Sequence, residues 1–285
     1  MDVLRSGLGL VESPRWHEGR LWFSDWTAGE IIAIDDAGAS ELVVRHQSLP
    51  LCFDFLPDGR PLLVSNQERA LLAVEDDGRL TEYADLSEIS QFGCNDIVVD
   101  GRGNTYVNSG NFDFATGPPS GEVQPGLVAV VPPGGAARVV ATDIAFPNGM
   151  AVTADSRTLV VADSYRHQLV GFDIDADGGL SGRRVWADLG EDAPDGICLD
   201  AENAAWYADV PHKHCRRVAE NGAVLATVTI DRGAFACMLG GTDGAQLYVV
   251  AAQWPGFAAL ATHVDWDGQV LRTAVGTPGA GWPAR

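Results

Sequence analysis

The heads of six short apolar strands recur along this chain at nearly constant spacing, and that period constrains the fold more than any other feature. They fall at Glu12, Cys52, Asn95, Asn148, Asp195 and about Ala236, at intervals of 40, 43, 53, 47 and 41 residues. Pro194-Asp195-Gly196-Ile197-Cys198-Leu199-Asp200 shows the layout: a polar corner, an apolar run and an acidic turn. Pro147-Asn148-Gly149-Met150-Ala151-Val152 repeats it, Asn95-Asp96-Ile97-Val98-Val99-Asp100 is a third version, and Val11-Glu12-Ser13-Pro14-Arg15-Trp16 is a looser fourth. A second apolar strand keeps step, because Tyr106, Leu159, Trp206 and Leu247 each lie 11 residues after a head. Helical spacing is scarce; Asp-Gly and Pro-Gly turns separate the apolar runs instead. Four-stranded units of about 40–50 residues have the length of propeller blades. The chain is therefore read as all-β, a six-bladed β-propeller. An irregular β-sandwich, the alternative, gives no reason for the period.

In such a ring the first strands run parallel about the axis, so their heads share one face. The connections from second to third strands return to that face, at Trp26–Thr27, 66–69, 108–125, 163–167, 209–214 and 253–257. The longest, 108–125, carries Phe112 and Phe114. It is expected to fold over the axis as a lid. The segment Val3 to Leu10 is expected to pair with strands around 263–275 and close the ring, leaving no open sheet edge. All 285 residues are read as one propeller domain, with a tail from about 276 that has no assigned role.

A formal net charge of -20 argues against nucleic acid or an anionic membrane as partner and mildly favours a cation. No apolar run reaches the roughly 18 residues that span a bilayer, and residues 1–10 do not read as a signal peptide. The five cysteines are odd in number and lack metal-ligand spacing, which suits reduced thiols in the cytosol. A cytoplasmic monomer or homodimer acting on a small molecule is expected.

Glu12, Asn148 and Asp195 stand at matched heads of three blades, and Asn95 stands at a fourth. Taken singly, Asn-Gly and Asp-Gly are turn formers. Taken together they are an oxygen-only set converging on the axis, which suits a hard divalent cation. Ca²⁺ is expected first, with Mg²⁺, Mn²⁺ or Fe²⁺ as alternatives. No His stands at a head to activate Cys52, Cys94 or Cys237, and Gly-x-Ser-x-Gly is absent. Trp26, Phe112, Tyr165 and Trp254 lie on connections of the same face and could wall a pocket. His212, Lys213 and His214 share that face.

Glu12-Ser-Pro-Arg-Trp16, Asn95-Asp96 with Asp100, Phe146-Pro-Asn148-Gly149 and Pro194-Asp195-Gly196 together resemble the motifs of the SMP-30/gluconolactonase/luciferin-regenerating enzyme family. The resemblance runs from Gly7 to about Val275. It implies a six-bladed propeller with one axial divalent metal, and a lactonase. Carried over by motif, the metal ligands are Glu12, Asn148 and Asp195. Asp195 and Asn95 are the catalytic pair, Asp195 as general base and Asn95 contacting substrate or metal-bound water. Phe112, His214 and Trp254 are the further candidates for substrate contact. Sugar-lactonase members carry an arginine two residues before the Asn of the Asn-Asp motif, where this chain has Gly93. A more apolar lactone than gluconolactone is therefore expected. A non-hydrolytic biosynthetic step in the same metal pocket, and a non-catalytic binding propeller, are the alternative readings.

Overall fold

A computed structural model of the chain describes residues 1–118, 124–262 and 265–283. Its strands form six antiparallel sheets, each started by one inner strand: Val11–His17, Phe53–Phe55, Ile97–Val99, Pro147–Val152, Pro194–Asp200 and Gly233–Gly240. Successive strands follow outward in chain order, so the six-bladed propeller expected from the period is the fold. Short 3₁₀ turns at Ser164–Arg166 and Phe257–Ala261 are the helical elements among the described residues. The ring closes as expected: Asp2–Leu8 is the outermost strand of the sixth blade, with Asp2 opposite Arg272 and Leu8 opposite Gly268. Residues 263–264 of the stretch assigned to this pairing lie outside the described residues.

Buried apolar faces of neighbouring blades form the core, and large tyrosines wedge between them. Tyr106 and Tyr248 are fully enclosed, which contributes about 1.5–3 kcal/mol apiece. Their hydroxyls reach the next blade, at the Gly178 carbonyl (3.1 Å) and at Asp36 (2.7 Å). The Tyr248 bond crosses the seam between the last and first blades.

Three features aim the strand heads at the axis. The first is a β-bulge in the inner strand at the head: between Glu12 and Arg15, Pro147 and Met150, and Pro194 and Ile197. Bulges turn side chains out of the alternating pattern. The second is close strand approach. A Cβ at Gly149 would lie 2.5 Å from the Asp195 carbonyl oxygen, and one at Gly196 would lie 2.2 Å from the Ala236 Cβ. Asn148-Gly149 and Asp195-Gly196 are thus inside strands, not turns, and their glycines let adjacent inner strands touch. The third is a buried aspartate ending the second strand of three blades. Asp25, Asp163 and Asp209 accept the backbone N–H groups of Gly9 (2.7 Å), Phe146 (3.0 Å) and Ala193 (2.9 Å), just upstream of the three heads. In the sixth blade, pairing with Ala251 makes Ala234 the counterpart of Glu12, two residues earlier than the spacing suggested. That head carries no polar group.

The tail is part of the fold. Gly279–Ala280 adds a fifth strand to the fifth blade, opposite Leu199 and Asp200. Trp282 and Val152 exchange two backbone hydrogen bonds of 2.8 Å. The tail therefore crosses the far ends of two inner strands, and the Trp282 ring lies over Gly101 of the third blade. Residues 284–285 lie outside the described set. Trp282→Ala should destabilise by about 1–3 kcal/mol in denaturant titration. An unchanged midpoint would mean that the tail merely rests on that face.

Candidate active site

The bulged heads meet at one end of the axis and form the floor of a cavity of about 240 Å³. Glu12, Asn95, Asn148 and Asp195 all line it, together with Trp254. The structure thus gathers four residues that lie up to 183 positions apart in the chain. Asn95 Nδ2 donates to the Pro147 carbonyl (3.3 Å) and to Asn148 Oδ1 (3.4 Å), and Asn148 Nδ2 donates to the Ser164 hydroxyl (3.4 Å). Glu12 accepts the Ser13 N–H at 2.6 Å.

Burial pushes the Glu12 carboxyl up to about 8 against the opposing Ser13 hydrogen bond, and the charge of Asp96 adds to the rise. Burial also lifts Asp195 well above the usual carboxylate range, reinforced by Glu12, Asp96 and Asp209. Two desolvated acids facing each other call for a counter-cation. The nearest one is already engaged. Arg15, itself buried, lies 3.4 Å from Asp96 and 3.5 Å from Asp54, and donates to the Ile97 (2.8 Å) and Pro14 (3.0 Å) carbonyls. This layer lies beneath the floor; the charge of Arg15 offsets only part of the rise at Glu12 and none of that at Asp195. Four oxygen side chains in that state fit a hard divalent cation.

Above the floor the walls are aromatic. Phe114 lines the cavity with Trp26, Phe146, Tyr165, Phe235 and Phe257. Phe114 packs edge-on to Trp26 (6.1 Å) and to Phe257 (5.8 Å), so the long connection contributes this ring to the wall. Residues 119–123 of the expected lid are outside the described set, and 108–109 belong to the strand Thr105–Ser109. Phe112 is not a lining residue. It is buried behind the wall, stacked on Phe114 at 5.4 Å.

His214 does not line the cavity either. Its ring is buried, with Nε2 2.8 Å from Asp192. Asp192, Asp209 and His214 offer ligand atoms within 4.8 Å of one another. Asp192 is already crowded with donors, however. Asp192 Oδ2 also accepts from the Tyr207 hydroxyl (2.6 Å) and from Arg216 (2.7 Å). The guanidinium supplies the positive charge a metal would bring. We read this cluster as the anchor of the Ala193–Asp195 corner, through the Asp209 to Ala193 bond.

At position 93 the backbone has a φ of +82°, and a Cβ there would lie 2.4 Å from Asn66 Oδ1. The Asn66 amide fills that space, accepting the Cys94 N–H (2.8 Å) and donating to the Cys94 carbonyl (2.9 Å). No arginine could occupy the position without backbone strain and loss of this clip. The five cysteines are buried, and burial pushes Cys94 up to about 12 and Cys52 well above the usual thiol range. Neither suits a nucleophile.

Sequence reasoning missed Arg15, Asp54, Asp96, Phe146, Ser164 and Phe257. Arg15 and Asp96 stood inside quoted motifs, and Phe146 precedes Pro147. Ser164 and Phe257 lie on the connections 163–167 and 253–257 assigned to this face, and Asp54 follows the head Cys52 by two residues, but nothing in the sequence singles these side chains out. No helix among the described residues is long and apolar enough to cross a membrane.

Comparisons with known proteins bear on this geometry. A 6-deoxy-6-sulfogluconolactonase of Pseudomonas putida is 25% identical over 99% of this chain and 96% of its own length. A luciferin-regenerating enzyme superposes with a TM-score of 0.81 at 20% identity, covering 99% of this chain and 97% of that one. Regucalcin of Agrobacterium tumefaciens, a calcium-binding protein, gives 0.76 at 21% identity, covering 98% and 94%. These last two likenesses are of fold. The profile of the SMP-30/Gluconolactonase/LRE-like region matches residues 10–253, and the chain belongs to that family.

Proposed function

We propose that the chain is a lactonase whose axial residues hold one divalent cation and open an apolar cyclic ester. The observation that carries this reading is the desolvated pair Glu12 and Asp195, joined by Asn95 and Asn148 on the floor of an aromatic cavity. Lactonase names among the relatives support the reaction class. Calcium binding by the Agrobacterium relative supports Ca²⁺ as the first ion to test.

Glu12, Asn148 and Asp195 would be the ligands. Bound by these residues, a cation would supply Lewis-acid polarisation of the ester carbonyl and offset the charge developing on its oxygen. Asp195 takes the proton from the attacking water. Its burial works against the pKa lowering that a bound cation imposes, so a basic carboxylate is retained beside the metal. Asn95 presents its amide to the same space and orients the substrate carbonyl. Phe114 and its aromatic neighbours exclude bulk water and take the apolar part of the substrate, with the described 110–118 part of the connection as cover.

Few polar side chains are available above the floor. The Ser164 hydroxyl is bonded to the Pro194 carbonyl at 2.6 Å, and Gly93 with Asn66 closes the place of an arginine. Each sugar hydroxyl buried unpaired would cost about 1–3 kcal/mol. An alkyl- or aryl-substituted lactone should therefore show a kcat/KM at least about a hundredfold above that of gluconolactone. Steady-state hydrolysis of a lactone panel by cation-loaded protein tests this. Gluconolactone as the best substrate would overturn the apolar assignment, and no hydrolysis of any lactone would overturn the reaction class.

A further inference from the structure

Ser164 stands between two neighbouring strand heads, and its hydrogen bonds all go to them. Its backbone N–H donates to the Phe146 carbonyl at 3.0 Å. Its hydroxyl donates to the Pro194 carbonyl at 2.6 Å and accepts from Asn148 Nδ2 at 3.4 Å. Phe146 and Asn148 belong to the head of the fourth blade, and Pro194 precedes Asp195 in the head of the fifth. The side chain is buried.

A serine hydroxyl has one proton, and the short bond commits it to Pro194. Toward Asn148 the oxygen can only accept. An amide presents nitrogen on one side and oxygen on the other. With its nitrogen held by Ser164, Asn148 turns Oδ1 the opposite way, where Asn95 Nδ2 meets it at 3.4 Å on the cavity floor. A hard cation takes the amide oxygen and is repelled by the NH₂ group. The orientation of this amide therefore decides whether Asn148 is a ligand at all.

We propose that Ser164 is a positioning residue for the axial cation, fixing the Asn148 amide with its oxygen toward the axis and tying the fourth-blade head to the fifth. This rests on the cation site proposed above. Groups that orient a ligand from behind typically change metal affinity by about 10–100-fold. The role belongs to the hydroxyl, because the bond from the Ser164 backbone to Phe146 survives any side-chain change.

Calorimetric titration of chelator-stripped protein with Ca²⁺, and separately with Mn²⁺, tests the proposal on the full chain. Ser164→Ala should weaken binding by about 10–100-fold, while loss of one buried hydrogen bond lowers the metal-free melting temperature by only about 2–5 °C. Ser164→Thr keeps the hydroxyl and should recover most of the affinity. Should the alanine variant fail to fold, Ser164→Cys fills the same space with a poor acceptor and should show the same loss. Alanine or cysteine variants that bind as tightly as the parent would overturn the proposal. A threonine variant as weak as alanine would assign the loss to packing and overturn it too. A parent that binds neither ion would instead overturn the cation site, a distinct result.

Discussion

Asp195→Asn should lower lactone turnover by about 10²–10⁴-fold, the usual worth of a positioned proton acceptor, while the protein still takes up its cation. The amide has the shape of the carboxylate and keeps one oxygen ligand, so what it removes is the base. The surroundings of Asp195 make the separation readable. Burial and the charges of Glu12, Asp96 and Asp209 all disfavour its ionised form. The neutral variant should therefore raise the melting temperature of the metal-free protein even as it loses activity. Glu12→Gln should behave in the opposite sense, weakening cation binding first, with turnover recovering at high cation concentration. Initial rates and calorimetry on both variants decide this. An Asp195→Asn enzyme with parental kcat at saturating cation would remove Asp195 from the proton-transfer role.

The second large effect couples pH to the cation. Glu12 titrates near 8 in the metal-free protein against an ordinary value of 4.5. Between these values the folded state holds a proton that the unfolded chain has released. The stability of the metal-free protein therefore falls as pH rises through that window and levels off above it. A cation must displace that proton, so its affinity should rise about tenfold per pH unit up to about pH 8. At a concentration a hundredfold above the dissociation constant at pH 8, the cation should stabilise the fold by about 2.7 kcal/mol. Two units lower, the same concentration should give only about 0.4 kcal/mol. In a chain of this length the corresponding melting shifts are about 4–6 °C at pH 8 and about 1 °C at pH 6. Thermal melts at both pH values, with added cation and with chelator, measure the difference. Equal shifts would mean that Glu12 is not a proton-competing ligand, and no shift at either pH would remove the cation.

Local pattern makes the ring and the floor legible in the sequence alone. Alternating apolar runs and acidic turns mark strands within a few residues, and the recurrence of heads about 40–50 residues apart marks blades. Parallel inner strands then place Glu12, Asn95, Asn148 and Asp195 on one face without knowledge of a single contact. The Asn-Gly and Asp-Gly pairs misled only as to local geometry. A glycine that frees a turn and a glycine that admits a neighbouring strand look alike in sequence, and the closeness of Gly149 to the Asp195 backbone exists only once two blades meet.

What the tertiary structure alone decided is everything contributed by isolated residues. Arg15, Asp54 and Asp96 come from three blades, at intervals that follow the period of the heads, but only the closed ring pairs them into the charged layer under the floor. Phe114 and Phe257 become one wall across 143 positions of chain. His214 shares its connection's face with the cavity residues, but its ring turns back to Asp192, a direction fixed by a buried partner 22 positions away. Gly93 reads as a missing arginine in sequence; the structure puts the Asn66 amide in its place. The sequence by itself determined the period, the face and the chemistry of the axial oxygens, because each is written in consecutive residues. The counter-charges, the walls and the orientation of each side chain were decided by burial against partners that come close only when the ring closes.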